Sequence, residues 1–203
     1  MHAGGALAGL TPGFSDPVGA AQAVFRLCLE RLSRPGTLAE VRSDAALPAG
    51  LHVASGALLL ALLDQDTRLW LSPAAAGAAA YLRFHTGCVP VDDPAEADFA
   101  LAASVRELPQ LERFAQGSED YPDRSTTLIV QVESLATDAG WTLRGPGIAD
   151  SVRLSAAGLG AAFALDWAAN RRRFPCGVDV FLASDSRLAG LPRTTRLEDS
   201  ACT

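Results

Sequence analysis

Residues 55–82, SGALLLALLDQDTRLWLSPAAAGAAAYL, decide the fold class. Ser55 to Leu63 is apolar on nearly every face, the pattern of a helix buried all round. Asp64-Gln65-Asp66-Thr67 then turns the chain, because short polar side chains offer the backbone alternatives to helical hydrogen bonds. Arg68-Leu69-Trp70-Leu71 reads as a strand, and Ser72-Pro73 opens an alanine-rich helix running to about Leu82. Helix, strand and helix in such close succession imply α/β layering.

The same reading extends to both sides. Upstream, Asp16-Pro17 supplies an N-cap and a first-turn proline, and Val18, Ala21, Phe25, Leu29 and Leu32 recur at helical spacing up to the break at Arg34-Pro35-Gly36. Thr37 to Val41 reads as a short strand. Residues 1–15, rich in Gly, Ala and Pro, are expected to be a flexible N-terminal segment, leaving 16–203 as a single α/β domain.

Downstream, strands are expected near Arg83 to Thr86 and from Asp98 to Ala102, with a short helix from Leu108 to Gln116 between them and the next strand. Thr127 to Ser134 (TLIVQVES) has strong β character. Trp141 to Arg144 is expected to pair with it as a hairpin across Asp138-Ala139-Gly140, and Gly145-Pro146-Gly147 to end that hairpin. Ser155 to Arg172 reads as a long helix with Leu159, Ala162, Phe163, Leu165 and Trp167 on apolar ground. Val178 to Ala183 and Leu188 to Leu191 read as strands around Ser184-Asp185-Ser186. Two hairpins make the expected sheet mixed.

Composition narrows the chemistry. All seventeen basic residues are arginine, and the chain has no lysine. Schiff-base catalysis and a lysine-bearing phosphate loop are therefore excluded. The net charge of −6 provides no overall field for nucleic acid. Arg171-Arg172-Arg173 fits a solvated helix C-terminus, where cations complement the helix dipole. Cys28, Cys88, Cys176 and Cys202 show neither a CxxC pair nor metal-finger spacing. With no cationic leader before a sustained apolar run and no apolar stretch of spanning length, a cytoplasmic chain with reduced thiols and no membrane partner is expected.

Few side chains suggest a site. Arg83 and His85 would share one face of the expected strand, where they could hold a phosphate or phosphonate oxygen; without a convergent constellation, a hydrogen-bonded pair facing a neighbouring chain or a buried carboxylate is the preferred reading. In Pro192-Arg193-Thr194-Thr195-Arg196, two arginines flank hydroxyls without core periodicity. Arg193 and Thr194 could bind an anion or pack on a partner, and a solvated terminus is the alternative. A Cys88–His85 pair would fall on opposite strand faces. No metal-ligand spacing and no GxSxG elbow occur, so neither catalytic residues nor a metal site are assigned.

Several strings in order carry a resemblance: the Asp16-Pro17 helix with Phe25-Arg26, Arg34-Pro35-Gly36, Asp64 to Leu71, LRFHT at 82–86, TLIVQVESL at 127–135, Phe174-Pro175-Cys176-Gly177-Val178-Asp179 and PRTT at 192–195. Together they resemble the PhnH family of the bacterial carbon–phosphorus lyase system over roughly residues 14–196. The resemblance implies a cytoplasmic homodimer within a core assembly containing the G, I and J subunits. That assembly would assist formation of ribose 1-phosphonate triphosphate from ATP and an alkylphosphonate. It also implies a three-layer mixed β-sheet flanked by helices, similar to the pyridoxal phosphate-dependent transferase fold but without the cofactor. No catalytic residue transfers with it, and activity is expected to need neighbouring chains. The alternative is an independent phosphate- or phosphonate-binding enzyme on an α/β scaffold.

Overall fold

A computed structural model describes residues 10–198. In chain order the elements are α1 (Pro17–Ser33), β1 (Ala39–Glu40), α2 (Val53–Leu62), β2 (Arg68–Leu71), α3 (Ala79–Thr86), β3 (Val89–Val91), β4 (Phe99–Ala102), β5 (Thr127–Gln131), β6 (Leu135–Arg144), β7 (Val152–Ala156), α4 (Ala161–Arg172), β8 (Asp179–Ser184), β9 (Arg187–Leu191) and β10 (Arg196–Glu198). A seven-stranded sheet runs β1-β9-β8-β5-β4-β2-β3, and a second sheet of three strands runs β10-β6-β7. In the large sheet β8, β5, β4, β2 and β3 are parallel neighbours, while β9 and β1 are antiparallel. The protein is thus mixed α/β, as the sequence implies.

Strand periodicity splits the core in two. Alternate residues of β2, β4, β5 and β8 point to opposite faces. Leu69, Leu101, Ile129 and Phe181 join one cluster, which α1, α2 and α3 cover through residues such as Val24, Leu58 and Leu82. Trp70, Ala100, Leu128, Val130 and Leu182 join the other, which contains Trp141 and Leu143 of β6, Leu154 of β7, and Phe163 and Trp167 of α4. Helices therefore layer one face, whereas the small sheet and one helix layer the other. The expectation of a sheet flanked by helices holds fully only on the first.

Helix α1 begins as the sequence predicts, with Asp16 accepting a hydrogen bond from the Gly19 N–H and Pro17 in the first turn. Its conspicuous apolar stripe is not the face it buries: Val18, Phe25 and Leu29 are exposed, and Val24, Cys28 and Arg31 face inward. The helix backbone sits directly on β9. A Cβ at Gly190 would lie 2.6 Å from the Arg31 carbonyl carbon, so only glycine permits this approach.

Four other expectations are corrected. The segment Arg83 to Thr86 is the last part of α3, which ends at Gly87 in the left-handed region (φ 80°); the next strand is Val89–Val91. The strand at 127–131 does not form a hairpin with Trp141 to Arg144. It pairs in parallel with β4 and β8, while Asp138-Ala139-Gly140 lie within β6, as an irregularity in its ladder with β7 where Gly140 has φ 85°, and β6 pairs with β7 and β10. The long helix begins only at Ala161, because Gly158 (φ 94°) and Gly160 interrupt it, and Ser155-Ala156 belong to β7. Between Leu108 and Gln116 only Leu111–Arg113 forms a single 3-10 turn.

Most of the segment expected to be flexible, residues 1–9, lies outside the described residues. From Leu10 onward the chain packs on the helical cluster, and Ala46 N–H donates to the Pro12 carbonyl at 2.9 Å. No helix among the described residues is long and apolar enough to cross a membrane.

Candidate functional site

Arg83 and His85 do not share a face. Two residues apart on a helix they are separated by about 200°, given 3.6 residues per turn. His85 Nε2–H donates to the Thr11 carbonyl at 3.0 Å, and its ring packs on Tyr81 and Phe84. It thereby fastens the N-terminal segment to α3. Arg83 is exposed. Cys88 is fully buried and burial pushes its thiol pKa up, which opposes a nucleophilic role beside His85.

Two of the open cavities bear on the candidate residues. The first, of about 540 Å³, lies beyond the carboxyl ends of β4 and β5 and is lined by His52, Ser104, Arg106, Gln131 and Glu133 among others. This is where open α/β sheets place ligands. Its floor is rigid. Gln131, 3% exposed, accepts from the His52 N–H at 2.7 Å and the Ser55 hydroxyl at 2.5 Å, and donates to the Gly50 carbonyl at 2.8 Å. His52 Nδ1 lies 3.1 Å from the Asp185 backbone nitrogen and 3.2 Å from the Ala183 carbonyl oxygen, which ties the ring to the end of β8.

The second cavity, of about 470 Å³, is lined by Arg144, Gly145, Pro146, Arg171, Phe174, Thr194 and Arg196. The tail singled out by sequence reaches it, but with divided roles. Arg193 is 11% exposed in its side chain and forms a structural clamp. Its Nε and Nη2 meet the Asp179 carboxylate, its Nη1 donates to the Pro122 and Pro175 carbonyls, and its Nη2 also donates to Ser125 Oγ. All five guanidinium N–H groups are thereby engaged within the chain. On the other side, Trp167 Nε1–H donates to the Thr195 carbonyl at 2.8 Å. Thr194, held between these two anchors, lines the cavity.

The arginines of this second cavity come from three places that the sequence keeps far apart. Arg171 is in the last turn of α4; Arg196 opens β10 and stands directly opposite Arg144 of β6 in the antiparallel register. Gly145 and Pro146, which follow the end of β6, also line the cavity. Sequence reading assigned Arg171 to a helix C-terminus and left Arg144 inside a hairpin. Only the β6–β10 pairing brings them together, and β10 carries too short a signal to be read.

The arrangement defines a mixed α/β protein with one crevice at its parallel strand ends and one arginine-lined cleft; among the described residues no cluster of three His, Cys, Asp or Glu could hold a metal. The family of bacterial phosphonate metabolism proteins (PhnH) matches residues 12–198, and the chain belongs to that family. It is 43% identical over 187 residues, 91% of this chain and 94% of the relative, to "Alpha-D-ribose 1-methylphosphonate 5-triphosphate synthase subunit PhnH" of Rhizobium meliloti. It is also 32% identical over 101 residues, half of either chain, to "Putative C-P lyase subunit protein HtxG" of Stutzerimonas stutzeri.

Proposed function

We propose that this chain is a subunit of the synthase that forms a ribose 1-phosphonate 5-triphosphate from ATP and an alkylphosphonate, in the carbon–phosphorus lyase route of phosphonate catabolism. The observation that carries the reading is the 43% identity that spans nearly the whole of both chains. The described side chains agree with an assisting role. Asp179 is bound to Arg193, Gln131 to the α2 start and Glu107 to Ser72 Oγ at 2.6 Å, so these polar groups are engaged in holding the fold together.

The same reading includes a cytoplasmic homodimer that joins the G, I and J subunits. It also includes a kinship of the large sheet with pyridoxal phosphate-dependent transferases. The residues present do not fit that cofactor, since a chain without lysine offers no amine for its covalent attachment.

Co-expression with the G, I and J subunits, followed by affinity capture through a tag on this chain, tests the proposal. Co-elution of the set through gel filtration is the expected result. Elution of this chain alone, with the other three assembled without it, would contradict it.

A further inference from the structure

We infer that the cleft between β6, β10 and the end of α4 is a binding site for phosphoryl or phosphonyl groups, with Arg171, Arg196 and Thr194 as its anion contacts. The first support is electrostatic. Arg144 and Arg196 are directly opposed across an antiparallel pair, an arrangement in which like charges repel. Arg144 is offset by Asp150 at 3.0 Å and Glu198 at 3.3 Å. Arg196 and Arg171 have no ion-pair partner among the described residues, in a protein whose overall charge is −6. Two uncompensated cations converge on one cavity with a third beside them.

The second support is hydrogen bonding. Arg171 Nε is buried and has no partner, an unusual state for a donor shielded from water. The position of Arg171 near the α4 C-terminus suits the helix dipole. That dipole does not account for its lining a cavity with two other arginines. A tetrahedral oxyanion does, because guanidinium forks match its oxygens and its charge offsets the unpaired Arg171 and Arg196.

The third support concerns what the anion is attached to. Phe174 lines the same cavity and is 63% exposed, a large aromatic surface left to solvent beside the arginines. A ring there can stack on a base or cover an alkyl group. The 470 Å³ volume exceeds what a lone phosphate needs and lies in the range of small-molecule sites.

The site stands on the geometry of this chain alone, so it can be tested apart from the assembly. Calorimetric titration of the full chain with inorganic tripolyphosphate and with ATP reads it. Binding of both is expected, weakening by about tenfold or more in Arg171→Met and in Arg196→Gln. Arg83→Ala, on the far α3, should leave both affinities unchanged. Without ligand, Arg196→Gln should melt no lower than the parent, because Arg196 has no ion-pair partner among the described residues to lose; a purely structural arginine would give a lower melting temperature.

The two probes also separate the sources of the phosphoryl group. If ATP binds more tightly than tripolyphosphate and Phe174→Ala removes the difference, the ligand is a nucleotide; equal affinities make it a polyphosphate or phosphonate without a base. Absence of binding by either at millimolar concentration, or binding indifferent to both arginine substitutions, would overturn the inference.

Discussion

The two faces of the seven-stranded sheet are held by different physics. On the helix-covered face, aliphatic side chains such as Leu58, Leu59, Leu69, Leu101 and Ile129 supply the packing, with buried Gln131 and Ser55 bonded to each other and Arg31 donating to the Leu38 carbonyl. On the opposite face Trp70 meets Phe114 edge-on at 5.7 Å, and Phe163 lies between Trp141 and Trp167 at 5.8 and 6.0 Å. That aromatic layer is pinned by polar contacts: Asn170 exchanges two hydrogen bonds with Val178, and Trp167 holds the Thr195 carbonyl. The first face is mainly aliphatic, and its helices are legible from local patterns. The second is assembled from distant segments, and both the Arg193 clamp and the arginine cleft belong to it.

The sharpest way to break this contrast is to truncate one residue on either side. Trp167→Ala removes the largest fully buried side chain together with its hydrogen bond, and should cost about 4 kcal/mol. Leu58→Ala, also fully buried, should cost about 3 kcal/mol. Denaturant unfolding of both reads the difference, and equal or inverted costs would deny the aromatic face its extra polar anchoring.

Asp179→Ala should be smaller, about 2 kcal/mol, because its partner Arg193 is left with an uncompensated charge that is only partly in water. Its distinctive sign is reach: amide exchange should accelerate around 192–196 on the arginine side and stay unchanged in α2. Uniform acceleration would mean that the clamp supports the whole fold.

The helical face has its own titration. Burial pushes the Cys28 thiol up to about 12. A group whose folded pKa is raised contributes stability that is intact below its unfolded value, about 8.5, and is lost as pH climbs toward the folded one. The melting temperature should therefore fall through the alkaline range in the parent and fall less in Cys28→Ala. The smallest effect belongs to the strand starts. Arg68 donates to Asp98 through Nη2 at 2.8 Å and holds its carboxyl below the ordinary carboxylate range. Stability from that pair is present above the unfolded pKa of about 3.9 and is lost as pH falls through the lower folded value. Asp98→Asn should flatten this acid limb, with little change at neutral pH because the pair is half exposed.

The same contrast explains what the sequence makes legible. Helix α2, strand β2 and the β8–β9 pair follow from local patterns: an all-apolar run, a four-residue apolar strand, and two strands around Ser184-Asp185-Ser186. The N-cap of α1 was equally plain, but not its buried side, since the exposed Val18, Phe25 and Leu29 form the more regular stripe. The opposite face depends on pairings between segments far apart in the chain. Nothing local in TLIVQ says that its neighbours are β4 and β8 and not the following strand. Arg83 and His85 were misread because α3 continues past the alanines to Gly87. Of the candidate residues, Thr194 lines a cavity, Arg193 proves to be the anchor beside it, and Arg171 and Arg196 carry the open charge. Their convergence rests on a three-residue strand, Arg196–Glu198, that no periodicity could reveal.

Reconstituting the synthase from separately purified subunits tests the central claim most directly. Adenine release from ATP in the presence of an alkylphosphonate should reach its full rate only when this chain is added to the G, I and J subunits, and should stay at background with this chain alone. Full turnover by the isolated chain, or by the other three without it, would contradict the account.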